Sequence, residues 1–229
     1  MKTEFYDHTN SQQPEAVSSL FSLSEENSLE CKQSEPKLRS SIEENVALGN
    51  YAVAIALINE LISLRPNSAI DYNNRGLMHL RNNQLTEAIE DLTHALEINP
   101  KLDSAYNNRA NCHAAQGNLV AAISDYDVAL DINPANIRAW INQGITFREM
   151  GNYDLAISNF DIALIISQSL QERAYGERGR VYHLRGDWNC AVADYKKALE
   201  LLADKPELAN YRDKVEAWLE ELFYPVFSY

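Results

Sequence analysis

The tetrapeptide Tyr-Asn-Asn-Arg occurs at residues 72–75 and again at 106–109, placing a phenol, two primary amides and a guanidinium side by side twice. Such groups are common in catalytic sites, so their partners decide how they are read. The arginine has a constant companion: Asp91 follows Arg75 by sixteen residues, Asp125 follows Arg109 by sixteen, and Asp194 follows Arg178 by sixteen. In a further set the pair becomes Gln143 with Asn159, both members losing their charge together, and in the earliest it is Ser41 with Leu57. A matched change of this kind is what direct contact between two side chains produces. We read these residues as structural pairs, with an amide–amide hydrogen bond replacing the ion pair once, and not as catalytic groups.

Other reactive residue types do not gather. Cys112 stands beside His113, but neighbours on a helix point about 100° apart. His94 and His183 are far apart, and no His/Cys set has metal-ligand spacing. A phosphate-cradling glycine loop and a nucleophile elbow are both missing. The expectation is no catalytic residue, no metal, no cofactor and no enzymatic activity. Net charge −13 and pI near 4.8 argue against nucleic acid or an anionic membrane surface as partner. Cys31, Cys112 and Cys190, three and widely spread, suggest a reducing compartment. With no secretory pattern at the N-terminus and no long apolar run, the chain is expected to be cytoplasmic, without a transmembrane segment.

The tetrapeptide is one part of a longer repetition. The chain aligns on itself from Ala69 to Pro100, from Asp103 to Pro134, from Ile137 to about Ser167, and again from near Glu172 after one extra residue. Small residues recur at three places: Gly76, Ala110, Gly144 and Gly179; Ala88, Ala122, Ala156 and Ala191; Ala95, Ala129, Ala163 and Ala198. Large ones recur between them, as Tyr72, Tyr106, Trp140 and Tyr175 and as Leu92, Tyr126, Phe160 and Tyr195. Apolar residues at three- and four-residue spacing predict two helices per copy. Gly117, Gly151 and Gly186 stand where the first should end. One such pair cannot bury its apolar face alone, whereas a stack of pairs can.

This pattern resembles the tetratricopeptide repeat family, in the style of bacterial adaptor and scaffold proteins. The expected fold is all-α: a right-handed α-solenoid of stacked helix-turn-helix repeats, four clear and one degenerate at the N-terminal side, with a C-terminal capping helix. Repeats fall near 35–68, 69–102, 103–136, 137–171 and 172–205, so the solenoid spans 35–205. In the degenerate copy, "PKLRSSIEENVAL" makes a poor first helix. Residues 206–229 hold the cap, with Leu208, Tyr211, Val215, Trp218, Leu219 and Leu222 on its buried side. Residues 1–34 are polar and acidic enough for disorder, with one helix-like face at Val17, Leu20 and Phe21.

The resemblance also implies a function. First helices of this family line a concave groove, and Asn74, Asn108 and Asn142 fall at a groove-facing position, with Glu177 in the last copy. A row of amides offers donors and acceptors to an extended peptide backbone. Asn73, Asn107 and Asn111 belong with this peptide-binding groove, and Arg138, Arg148, Arg173 and Arg180, set against Glu149 and Glu177, would steer acidic segments. The carboxylate clamp of some family members is matched only in part by Asn107, Asn111, Asn142, Arg173 and Glu177, because the first and last cationic positions are wrong. The partner implied is an extended or helical segment of another protein, in complex assembly or regulation. The alternative is a structural protein that homo-oligomerises through Phe223, Tyr224, Val226, Phe227 and Tyr229.

Overall fold

The computed structural model describes residues 34–223, and all regular structure within them is helical. Val17, Leu20 and Phe21, and Tyr224, Val226, Phe227 and Tyr229, lie outside the described residues. The chain divides between Pro66 and Asn67 into two compact units.

The first unit contains α1 (residues 34–47) and α2 (Tyr51–Leu64). The segment whose pattern predicts a poor first helix is helical nonetheless. Leu38, Ile42 and Val46, four residues apart, form its partly buried stripe, and polar contacts add to it. Arg39 Nε donates to Glu35 Oε1 one turn earlier at 3.0 Å, and Arg65, just past α2, reaches the same carboxylate at 2.5 Å. The Asn45 amide donates to the Ser41 carbonyl.

The second unit is a stack of helix pairs: α3 (Ala69–Arg81) with α4 (Leu85–Ile98), α5 (Asp103–Ala115) with α6 (Leu119–Ile132), α7 (Ile137–Glu149) with α8 (Tyr153–Ile166), and α9 (Gln171–Arg185) with α10 (Trp188–Leu202). A 3-10 turn, Pro206–Leu208, leads into α11 (Ala209–Phe223). Each helix packs on its neighbours in the chain, and each first helix also touches the next first helix: α3 on α5, α5 on α7, α7 on α9, α9 on α11. This is an α-solenoid in which α11 takes the place a further first helix would occupy. Val215 and Trp218 are buried against Tyr195, Ala198 and Leu202, with Leu208, Tyr211, Leu219 and Leu222 packed around them.

The turn inside each pair has one geometry. Gly117, Gly151 and Gly186 have φ of +76°, +77° and +91°, a conformation that costs a residue with a β-carbon ~1–2 kcal/mol. The amide of the following residue then reaches back five residues, as from Asn118 to His113 O at 2.9 Å and from Asn152 to Phe147 O at 2.9 Å. In the first clear repeat Asn83 (φ +60°) does the same work, asparagine being the residue that tolerates this region best after glycine. The extra residue before α9 has a different consequence. The proline-containing connection of the other repeats becomes Ser167-Gln168-Ser169-Leu170, and Leu170 is forced to φ +61°.

Close approach of the two helices explains the small positions. A β-carbon at Gly144 would meet the Phe160 ring at 2.9 Å and the Ala156 carbonyl at 3.3 Å; at Gly179 it would meet the Tyr195 ring at 2.8 Å. Leu92, Tyr126, Phe160 and Tyr195 are each at most 1% exposed as a result. A branched side chain here overpacks a tight core, and Gly144→Val is predicted to destabilise the protein by about 1–3 kcal/mol. Urea unfolding followed by far-UV circular dichroism reads this, and wild-type stability in the variant would refute the close-approach account.

Candidate functional site

The repeated arginines sit at the junction of the helices. Arg75 makes two parallel bonds to Asp91, Nε to Oδ2 at 2.7 Å and NH2 to Oδ1 at 2.5 Å. Arg109 makes the same fork to Asp125 at 2.8 Å each, and Arg178 to Asp194 at 2.7 and 2.8 Å. This is the bidentate geometry that makes an arginine–carboxylate pair strong and directional. Hydrogen bonding to these carboxylates raises the Arg75 and Arg109 pKa values further. In the third repeat Asn159 Nδ2 donates to Gln143 Oε1 at 2.8 Å.

Pattern reading missed a second partner. Arg109 also donates to Thr93 Oγ1 at 3.3 Å, Gln143 to Asp127 Oδ1 at 2.6 Å, and Arg178 to Asp161. Thr93, Asp127 and Asp161 occupy one position in the second helices of successive repeats, so these three bonds cross from one repeat to the next. The signal was present in the numbering: the same sixteen-residue interval runs backward from Arg109 and Gln143, and seventeen from Arg178 past the extra residue. The tyrosine has a second role as well. Arg75 lies over the Tyr72 ring at 5.3 Å, Arg109 over Tyr106 at 5.5 Å and Arg178 over Tyr175 at 5.4 Å, within reach of a cation–π contact.

The asparagines form one connected chain of amides. Asn142 Nδ2 donates to Asn107 Oδ1 (3.3 Å), Asn107 to Asn108 (3.2 Å), Asn108 to Asn73 (3.0 Å) and Asn73 to Asn74 (3.3 Å). It crosses α7, α5 and α3, linking three repeats. Asn73, Asn107 and Asn108 are buried, whereas Asn74 and Asn142, at its two ends, are partly exposed. Asn111 stands apart, accepting a bond from the Tyr126 hydroxyl at 2.7 Å.

A cavity of about 960 Å³ opens over this chain of amides. Its lining includes all six asparagines proposed for the groove, together with Arg138 and Arg173. Ile70, Leu77, Leu80, Leu102, Ile141 and Leu170 give it apolar stretches, and Ser104, Arg81 and Asn136 complete the wall. Arg148 and Arg180 do not line it. Arg148 pairs with Glu177, which is buried, and Arg180 reaches Glu221 on α11 and lies over the Trp218 ring at 5.5 Å. Glu177, at the asparagine position of the last repeat, therefore ends the amide chain as an ion-pair partner, with Lys214 of α11 at 3.8 Å on its other side. Ser104, Leu102 and Asn136 had not been singled out from the sequence, since nothing in their residue types marks them.

The remaining reactive groups are held in packing roles. Cys112 is fully buried, and burial pushes its thiol up to about 11, so it stays protonated. The imidazoles of His79 and His113 lie 3.7 and 3.9 Å from Asp91 and Asp125, beside the arginine pairs. Among the described residues no group of three or more His, Cys, Asp and Glu could hold one metal ion, and no helix is long and apolar enough to cross a membrane. Phe223, at the end of α11, is exposed.

The arginine pairs lie between the exposed and fully buried limits. Arg109→Ala leaves Asp125 largely buried and unpaired, and is predicted to cost on the order of 2–4 kcal/mol. The double variant Arg109→Gln with Asp125→Asn, which installs the third repeat's amide pair, should recover more than half of that loss. Chemical denaturation of wild type, single and double variants measures both. A double variant as unstable as the single would show that the two positions are not coupled.

Three tetratricopeptide repeat models match the chain, over residues 69–102, 104–136 and 136–210, together more than half of its length. No curated protein matches it. Similar solved structures include a thermophilic tetratricopeptide repeat protein of Thermus thermophilus (TM-score 0.70, 19% identity, 80% of this chain and 99% of that one). MamA from Desulfovibrio magneticus RS-1 aligns with TM-score 0.61 at 14% identity, over 74% of this chain and 95% of that one. The Cut9-Hcn1 hetero-tetramer of the APC/C aligns with TM-score 0.70 at 19% identity, over 81% of this chain and 36% of that one. Repeat spacing, helix pairing and all three matches agree, and the chain belongs to the tetratricopeptide repeat family.

Proposed function

We propose that this protein is a protein–protein interaction scaffold whose first helices hold an extended or helical segment of a partner. The coarse part of this reading follows from the family, whose members bind other proteins and are typically non-enzymatic. The finer part, that the groove over α3, α5 and α7 is the binding site, is supported by one observation above all. A single cavity of about 960 Å³ collects the asparagines of three successive repeats over an amide chain whose two ends, Asn74 and Asn142, are partly exposed.

The geometry suits a backbone ligand. Each primary amide has two donor hydrogens and an acceptor oxygen. The chain uses one donor of Asn142 and the acceptor of Asn74, leaving, among the described residues, the Asn74 side-chain NH2 and Asn142 Oδ1 for a ligand. Because the inner amides are bonded to one another, the end groups are pre-oriented, which lowers the ordering cost of binding. On this reading a partner segment lies across the first helices, with its backbone meeting Asn74 and Asn142 and its side chains meeting the apolar stretches.

Selection from a random dodecapeptide display library tests it. Peptides enriched on the wild-type protein should lose at least tenfold in affinity on the Asn74→Ala, Asn142→Ala double variant, whose fold is checked by its melting temperature because buried Asn73 and Asn107 each lose one amide bond and keep one. Enriched peptides that bind both proteins equally would move the site away from the groove.

A further inference from the structure

One row of the groove is graded in chemistry. Ile70, Ser104, Arg138 and Arg173 occupy the same place in the first turns of α3, α5, α7 and α9, and all four line the cavity. Read across the repeats the row runs apolar, polar, cationic, cationic. Ile70 is 59% exposed, and Leu77 and Leu80 of the same helix extend the apolar end. At the other end Arg138 and Arg173 are exposed, and neither has a carboxylate within ion-pairing distance among the described residues. The two cations lie on one wall of the groove, in a chain that carries 33 acidic and 20 basic residues. Arg148 and Arg180, nearby on the same two helices, are both paired with glutamates. The third cation of the lining, Arg81, stands at the far end of α3, about 16 Å along the helix axis from Ile70.

Building on the groove reading above, we infer that the ligand is a bipolar segment of another protein, with an aliphatic side chain over Ile70 and Leu77 and two acidic side chains over Arg138 and Arg173. The spacing follows from the stack. Successive first helices are in contact, which sets them about 8–10 Å apart. Arg138 is two such steps from Ile70, and Arg173 one step further. An extended chain advances ~3.4 Å per residue. Because side chains of an extended chain alternate between its two faces, the first acidic residue falls about six positions from the aliphatic one and the second two positions beyond it. Two cations a helix spacing apart call for two separate carboxylates, not for the single carboxylate of a chain end. A partner with this charge pattern also offsets local repulsion between Arg138 and Arg173, and electrostatic steering toward them speeds encounter at low salt.

The test uses fluorescein-labelled peptides, acetylated and amidated at their ends, with leucine, five serine or glycine residues, aspartate, serine and aspartate, in this order and reversed. Fluorescence anisotropy should show at least one order binding the full-length protein. Replacing both aspartates by asparagine, or both Arg138→Gln and Arg173→Gln in the protein, should each weaken binding at least tenfold. Lys196→Gln, at an exposed cation of α10 outside the groove, should change it less than twofold. Equal affinity for aspartate and asparagine peptides overturns the charge assignment while the groove stands, provided that Asn74→Ala with Asn142→Ala still abolishes binding. If a neutral peptide with one free terminal carboxylate binds as tightly, the paired-carboxylate geometry is wrong. Absence of binding by every designed peptide, while library-selected peptides still depend on Asn74 and Asn142, overturns the bipolar assignment and leaves the groove reading standing.

Discussion

Leu92, Tyr126, Phe160 and Tyr195 each press a large side chain into a place on the partner helix that carries only hydrogen or a methyl group, at Gly76, Ala110, Gly144 and Gly179. The other features of the second unit depend on this close approach. It brings the two helices of a repeat near enough for an arginine on one to reach an aspartate sixteen residues further on the other. Because the arginine has a planar fork with several donors, it bonds two ways, to its own repeat and to the preceding one. The stack is thus stitched at the same junctions where it is packed, consistent with stability distributed over repeat interfaces and not concentrated in one core.

With the junctions occupied on one side of the first helices, their other side is left to the groove. There the asparagines bond mainly to one another across repeats. A buried amide without a partner is destabilising, whereas a connected chain satisfies its members and fixes their orientation. The Tyr-Asn-Asn-Arg segment is accordingly a compact set of four tasks. Tyrosine lies under the arginine, the first asparagine links to the next repeat, the second extends the amide chain, and the arginine closes the junction.

Charge is arranged with similar economy on an acidic chain. Glu177 interrupts the asparagine series and takes Arg148 as its partner, with Lys214 of α11 nearby. Glu172, also buried, takes Lys205 at 2.9 Å, and Arg180 takes Glu221. The last repeat is therefore tied to the C-terminal cap by ion pairs as well as by the Trp218 and Val215 contacts.

Much of this was legible in the one-dimensional pattern. A 34-residue period of small and large residues dictates paired helices that must stack, because a single pair leaves its apolar face in water. Matched change at two positions, Arg with Asp and then Gln with Asn, determines a contact without coordinates, since losing one charge alone would strand the other. Other features needed tertiary structure. The helix over residues 34–47 sets a partly buried stripe, Leu38, Ile42 and Val46, beside the contacts of Glu35 with Arg39 and Arg65. The sequence marks Arg138, Arg148, Arg173 and Arg180 as equivalent cations, yet among the described residues two are paired with carboxylates and two are not. That difference rests on which carboxylates arrive from other helices: Glu177 lies 29 residues from Arg148, and Glu221 lies 41 from Arg180. Period and composition decide what each repeat is, because they act within a helix pair. Only the stacking of one repeat on the next decides which polar groups are used up inside the protein and which remain for a partner.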